Sequence, residues 1–392
     1  MIAPELLSKI NERRVLEYVQ TSGPVSRAGM ARSCGMSPPT VSKAVASLIR
    51  HGFLEESGVS EGFGRPGKLL QLAEQTANVL GVVIDADSCW VGSARLNGQW
   101  AGEKERSFAT PGTYRGLLTS LEAHLVQIGG GDLKRMRARF RGIGVSVPGL
   151  LNSRLDRTVV SPNLHFLDGV SLAADLSRRL GMRCVALQES HALCVGERLY
   201  GAARGLDDFA MLGVSTGMGL GIFSGGRLLT GNSGMGGELG HITVEQAGIQ
   251  CGCGNRGCLE TVATDSAFTR DISTLVGRSV GIDDAIKIMQ DGEVDCSEVV
   301  ARCIDYLAIG TAAVINIFNP STLFVHGKLL RSDPDIFNRM LEEARTRTLK
   351  PSFADCRVLQ SRGDKRLGAI AGIIRHLADE LAPSLASLEP AG

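Results

Sequence analysis

Several features are scarce in this 392-residue chain, and each absence narrows what it can be. No run of residues reads as long and apolar enough to span a bilayer. The first residues, Met-Ile-Ala-Pro-Glu, carry no apolar signal segment, so a reducing cytoplasm is expected, where disulfides are rare. Net charge is only +1, with no polybasic tail, so charge alone does not establish nucleic-acid binding. Residues 1–72 hold nine basic and six acidic residues, an excess of +3, and the rest is slightly acidic. Aromatic residues make up 5%, beside 43% apolar and 21% charged residues, an ordinary composition for a globular protein. The length implies two or three domains.

Cysteine, by contrast, is present ten times. Seven (Cys34, Cys89, Cys184, Cys194, Cys296, Cys303 and Cys356) are scattered in apolar contexts and read as small core residues. The other three fall in Cys251-Gly-Cys253-Gly-Asn-Arg-Gly-Cys258, ten residues after Glu238-Leu-Gly-His241. Three thiols and one imidazole at this spacing suit a closed tetrahedral zinc site. Gly252, Gly254 and Gly257 let the loop fold tightly enough to aim the sulfurs at one point. Free thiols in a flexible loop, or a disulfide, are the competing readings. Glu238 and Glu260 bracket the cluster as the polar wall of a pocket.

The first 72 residues predict a winged helix-turn-helix. Apolar Leu6, Ile10, Leu16 and Val19 recur at helical spacing over residues 5–20. Gly23-Pro24 stops that helix, and Ser26 caps a short second one. After Gly35-Met36, Ser37 caps a helix over residues 38–51, with Pro38 in the first position and Val41, Val45 and Leu48 on the buried face. Two short helices on a glycine turn form the DNA-reading unit, whose second helix enters the major groove. Ser37, Pro39, Thr40, Ser42 and Lys43 are the candidate DNA contacts. Two strands follow, and between them residues 62–67 form a hairpin tip presenting Arg65 and Lys68 to flanking phosphates or the minor groove. A helical cap that merely packs on the next domain is the competing reading.

Residues 73–79 read as a polar connector. Strand pairs then helices occur twice: residues 80–96 with an Asn97-Gly98 hairpin and a helix near 113–128, then residues 209–223 with a Gly225-Gly226 turn. Two α/β lobes with a cleft between them follow.

The chain resembles the ROK family (repressors, open reading frames and sugar kinases), specifically its winged-helix repressors. The matching marks are Gly64-Arg65-Pro66, Gly144-Val-Ser-Val-Pro148-Gly149, Ser161-Pro-Asn163-Leu, the Gly213 to Gly221 stretch, and Gly236-Gly-Glu238-Leu-Gly-His241 with the Cys-rich loop ending at Glu260. The resemblance implies an α/β fold in which an N-terminal winged helix precedes a duplicated, actin-like (ribonuclease H-like) ATPase-type fold. The winged helix would span 1–72. The first lobe would span 79–190, completed by a C-terminal helix at about 370–392, and the second lobe 191–369, carrying the zinc loop and the dimerisation surface. Structural Zn2+ would be held by His241, Cys251, Cys253 and Cys258. A sugar would meet Asn163, Gln188, Glu189, Glu238, His241 and Glu260.

Against the kinases of that family, three of four nucleotide elements differ. Their Asp-Xaa-Gly-Gly-Thr phosphate loop is Asp85-Ala86-Asp87-Ser88-Cys89 here, with Asp87 expected to repel phosphate. Their Asn-Asp pair, whose Asp is the catalytic base, is Gln188-Glu189. Their late Gly-Gly turn is Val325-His326-Gly327. Only Ser215 to Gly221 stays phosphate-like, a weak signal. The expectation is a cytoplasmic, non-enzymatic, sugar-responsive repressor, a homodimer or tetramer on a pseudo-palindromic operator, not bound to membrane. A sugar kinase that retains phosphorylation is the alternative, and a module that docks a partner protein is a third reading.

Overall fold

The computed structural model describes residues 4–59, 68–100 and 105–381. The hairpin tip with Arg65, and residues beyond 381, lie outside them.

The N-terminal unit has helices Pro4–Ser22, Arg27–Cys34 and Pro38–Arg50, then strands Leu54–Val59 and Lys68–Leu72. Ser26 and Ser37 cap the second and third helices by accepting from Gly29 N and Thr40 N. Gly35, at φ 61°, closes the turn between them in the left-handed region that favours glycine. A short strand at Val25–Ser26 pairs with the wing and makes the sheet three-stranded.

The wing runs directly into the first lobe. Ala73, Ala77 and Asn78 are buried, and a strand begins at Asn78. The polar connector expected over 73–79 is therefore packed structure, because its small residues fit beneath the winged helix.

Each lobe is built on one five-stranded sheet. In the first, the order is Cys184–Gln188, Phe140–Val147, Asn78–Ile84, Ser88–Arg95, Arg106–Ala109. In the second it is Arg357–Gln360, Thr322–His326, Phe209–Val214, Met218–Ser224, Arg227–Leu228. The first three strands of each order are parallel and the last two antiparallel, so the two sheets repeat one topology. Strand Asn78–Ile84 is buried at every position, as expected where both sheet faces are covered.

Two helices join the lobes. Helix Glu189–Tyr200 leaves the edge strand of the first sheet and lies on the second, where a Cβ at Gly221 would sit 2.5 Å from Cys194 Cβ. Helix Lys365–Leu381 leaves the edge strand of the second sheet and lies on the first, where a Cβ at Gly144 would run into the Ala369 carbonyl. The helices cross where a Cβ on Gly196 would lie 3.0 Å from Gly368 N, and one on Gly368 2.6 Å from Ala192 O. The C-terminal helix thus begins at Lys365 rather than near 370, and it extends the core of the winged helix: Val15, Leu16, Val19, Leu48 and Leu54 share one apolar cluster with Ile370, Ile373, Ile374 and Leu377. Arg13 reaches Asp379 at 2.6 Å, and Arg141 donates to Gly52 O and Thr76 O while lying over the Phe53 ring.

Helix Ser297–Phe318 departs from the sequence reading. By length and composition it could cross a bilayer, yet its apolar face is the core of the second lobe, with Val300, Ile304, Leu307, Val314 and Ile315 buried. Of the seven scattered cysteines, five are buried and two, Cys34 and Cys184, half-buried.

Gly144→Val should lower the unfolding midpoint sharply or prevent soluble expression. Overpacking of about 1–3 kcal/mol is the usual scale, and here the obstacle is backbone that cannot move aside. Gly112→Ala, where an added methyl meets nothing within 4 Å, should change little in the same thermal scan.

Burial holds the imidazoles of His191 and His326 below their ordinary range. Between the folded pKa and about 6.5 the unfolded chain binds more protons, so stability falls as pH drops through that window. Urea midpoints at pH 7.5, 6.5 and 5.5 should show this slope, and His326→Asn should flatten it.

Candidate effector pocket, metal cluster and DNA-facing helix

On the third helix Ser37, Pro39, Ser42 and Lys43 are exposed and Thr40 is half-buried. The exposed stripe continues to Ala46 and Arg50, which stand one and two turns further along. Sequence reasoning stopped at the first turn of this helix, although spacing from Pro39 and Lys43 would have found both. Lys68 is exposed at the root of the wing, but its ammonium is bound to Glu56, which also takes Arg27. Those two cations hold the Glu56 carboxyl below its ordinary range.

The metal cluster is built by two backbone reversals. A 3-10 turn at Leu239–His241 presents the imidazole. Opposite it, the Cys loop is pinched by bridges between Thr243 and Cys258 and between Gln250 and Arg256. Gly257, at φ 63°, lies so close to the Glu245 carbonyl that no side chain could fit. One donor atom each from His241, Cys251, Cys253 and Cys258 lies within 4.8 Å of the other three. The Cys253 and Cys258 sulfurs are 3.7 Å apart, as are Cys251 Sγ and His241 Nδ1. A tetrahedron with bonds of about 2.3 Å to sulfur has edges of about 3.8 Å. The four residues can therefore hold a metal ion, and none of the three thiols is in a disulfide.

Beside the cluster, a cavity of about 210 Å³ opens between the lobes. Asn163, Glu189, Glu238, His241 and Glu260 line it, with Gly149 and Gly217 supplying close backbone. Asn163 comes from the turn after strand Arg157–Val160, and Glu189 from the first position of the crossing helix. Glu260 Oε2 accepts from Met218 N at 3.4 Å, while its Oε1 lies 2.9 Å from Cys251 Sγ. Burial pushes the Glu238 carboxyl up.

Gln188 is not in the lining. Its amide donates to Glu238 Oε1 at 2.6 Å from behind, so it positions that carboxylate. Sequence adjacency to Glu189 misled here: at the strand end successive side chains point to opposite sides.

A residue that sequence reasoning missed completes the cavity. Lys365, the first residue of the C-terminal helix, reaches Asp85 Oδ1 at 2.7 Å and Glu189 Oε1 at 2.8 Å. Burial alone would lower its pKa, but Glu189 and Asp85 outweigh that and the ammonium is held charged. Nothing in the local sequence marks Lys365, since its partners are 280 and 176 residues away. Asp87 was the expected source of negative charge, but it is exposed and lines neither cavity; Asp85 is the carboxylate that faces inward.

The adjoining cleft, about 1160 Å³, is where the sequence places nucleotide elements. Several of its polar groups are bonded from within. Asp265 accepts from Lys328 N at 2.8 Å and Leu329 N at 2.9 Å, capping the helix after the His326-Gly327 turn. Ser266 donates to Thr216 O at 2.6 Å and Ser215 O at 3.3 Å. Asp85 N closes a tight hairpin on Ser88 O.

Comparison with known proteins follows the same division. The ROK family profile matches residues 101–373, and an IclR helix-turn-helix domain matches residues 14–58. The chain is 25% identical over 379 residues to the xylose repressor of Bacillus subtilis, covering 95% of this chain and 97% of that one. It is 26% identical over 388 residues to the DNA-binding transcriptional dual regulator NagC of Escherichia coli, covering 95% and 94%. Among solved structures it is similar to a ROK family transcriptional regulator described as a homolog of the E. coli MLC protein, with TM-score 0.81, 24% identity and 96% and 98% coverage. It is also similar to a ROK family glucokinase from Streptomyces griseus in complex with glucose and AMPPNP, with TM-score 0.66, 21% identity and 77% and 99% coverage. With its winged helix, its repeated five-stranded sheets and its His-Cys cluster beside an interlobe cavity, this chain belongs to the ROK family.

Proposed function

We propose that this protein is a sugar-responsive transcriptional repressor of carbohydrate genes, acting in the cytoplasm. A homodimer, or a pair of dimers, sets two winged helices on a pseudo-palindromic operator. A monosaccharide binds between the lobes and changes operator affinity. The observation that carries this reading is the shared core of the winged helix and the pocket-bearing lobe, in which the DNA-facing helix and the C-terminal helix pack into one apolar cluster. The names of the xylose and N-acetylglucosamine repressors make those two sugars the first effectors to try. Residues 1–72 form the DNA unit, 79–190 with the C-terminal helix the first lobe, and 191 to the start of that helix the second.

Asn163, Glu189, Glu238 and Glu260 take sugar hydroxyls, and Gln188 holds Glu238 in place. Ser37, Pro39, Thr40, Ser42, Lys43, Ala46 and Arg50 face DNA, with Arg65 and Lys68 on the wing. Zn2+ at His241, Cys251, Cys253 and Cys258 is structural: it ties the turn bearing Glu238 to the loop bearing Glu260. The protein does not transfer phosphate. Supporting this, Lys365 neutralises the carboxylate at the base position, and Asp265 fills the helix terminus a phosphate would need.

Thermal unfolding of the zinc-replete protein across monosaccharides, their phosphates and ATP tests this directly. A ligand at 100 times its Kd adds about 2.7 kcal/mol of stability. One sugar should raise the midpoint and ATP should not; a rise with ATP, or ADP release with any sugar, would establish the kinase alternative. Glu189→Ala should weaken that sugar by about tenfold or more, since the opposing hydroxyl loses a charged partner worth about 1.5–3 kcal/mol. Unchanged affinity would remove Glu189 from the site.

Cys253→Ser, which removes one of the four donors, should lower zinc content, measured by mass spectrometry, and should blunt the sugar response. Full zinc content together with a full response would refute the structural role.

A further inference from the structure

Two elements run from the cavity to the winged helix: strand Asn78–Ile84, which ends beside Asp85, and the C-terminal helix. Helix Lys365–Leu381 starts inside the cavity, where Lys365 is held by Asp85 and Glu189, and ends under the first DNA-unit helix, where Asp379 meets Arg13. Asp379 lies fourteen residues beyond Lys365, or about 21 Å along an α-helix. Between those ends the helix is buried from Gly368 through Ile374. At Gly144, Gly196 and Gly368 it meets backbone directly, so it is packed without slack against both the first sheet and the other crossing helix.

Lys365 is an awkward occupant of its position. A cation at a helix N-terminus opposes the macrodipole, and this one has a side chain only 20% exposed. Two carboxylates offset that cost. One of them, Glu189, belongs to the other crossing helix and lines the cavity; the other, Asp85, belongs to the hairpin of the first sheet. A polyhydroxyl ligand that donates to Glu189 competes with the ammonium for the same oxygens. The ammonium then shifts toward Asp85 or donates to a ligand oxygen, and either response changes what holds the start of the helix.

We propose that Lys365 is a positioning residue that reports occupancy of the cavity to the winged helix, with helix Lys365–Leu381 as the rigid connection. The idea rests on the sugar-pocket reading for its trigger, whereas the coupling from Lys365 to the winged helix exists without any ligand. At the far end, Ile370, Ile373, Ile374 and Leu377 pack with Val15, Leu16 and Val19, so a shifted helix must repack the base of the DNA unit. Coupling of this kind is reciprocal, and operator binding would alter the Lys365 end by the same free energy.

Hydrogen exchange by mass spectrometry on the full-length, ligand-free protein tests it. Lys365→Met should speed exchange in residues 4–22 by about five-fold or more, the lower end of ordinary allosteric coupling. Strand Phe209–Val214, in the core of the other lobe, should keep its wild-type rate. Glu189→Gln, a near-isosteric change that leaves Asp85 to hold the lysine, should produce a smaller change of the same sign if Lys365→Met does not fold. Lys328→Met is the control: this lysine borders the large cleft but pairs with Asp283, and it should leave residues 4–22 unaltered. Wild-type exchange in residues 4–22 of both Lys365→Met and Glu189→Gln would overturn the proposal. So would acceleration that residues 4–22 and 209–214 share equally, which is general destabilisation. Because no sugar is present, either result stands apart from the thermal-shift panel that judges the sugar reading.

Discussion

The close crossing of two helices at Gly196 and Gly368 is the constraint on which this architecture depends. Each helix leaves one sheet and covers the other, so neither lobe has a complete core alone. Glycine at the crossing lets backbones approach to a distance that no Cβ permits. The same economy recurs where the helices meet the sheets, at Gly144 and Gly221. One consequence is geometric: the N-termini of both crossing helices, at Glu189 and Lys365, are brought to the same point between the lobes and form an ion pair.

That meeting point also borders the smaller cavity, which Asp85, Glu189 and Lys365 all line. In this chain it holds an ion-pair network of one ammonium and two carboxylates. Asp85, Glu189 and Lys365 satisfy one another, Asp265 caps the nearby helix, and Ser266 ties down the glycine-rich turn. The neighbouring carboxylates Glu238 and Glu260 are different. They face the smaller cavity and keep acceptor capacity for hydroxyl groups. Gln188 donates to Glu238, and the turns that carry the two carboxylates are anchored by Leu239 and Leu259 in the core of the second lobe.

The winged helix is tied to this arrangement by packing and by polar contacts of the backbone. Arg141 reaches both Gly52 and Thr76, and Gln20 reaches Leu96, so the DNA unit is clamped to the first sheet at several points. The C-terminal helix and strand Asn78–Ile84 are parts of the surface beneath it that also reach the cavity.

Much of this was legible in the sequence because it depends on short-range chemistry. Ser26, Ser37, Pro38 and Gly35 carry their cap and turn roles in any context, which is why the helix-turn-helix emerges from residues 23–51 alone. The His241, Cys251, Cys253 and Cys258 cluster was legible for the same reason, since three ligands lie within eight residues on a glycine loop and the fourth nearby. The duplicated strand-pair pattern announced two lobes. Tertiary structure alone decided the rest. Whether 73–79 was linker or core, whether Gln188 faced the pocket or supported it, and which aspartate of the Asp85 hairpin pointed inward all depend on side-chain direction set by packing. Lys365 is the clearest case: its two partners are fixed by the crossing of helices from different lobes, and a contact made by long-range folding leaves no periodicity for a reader of sequence to find.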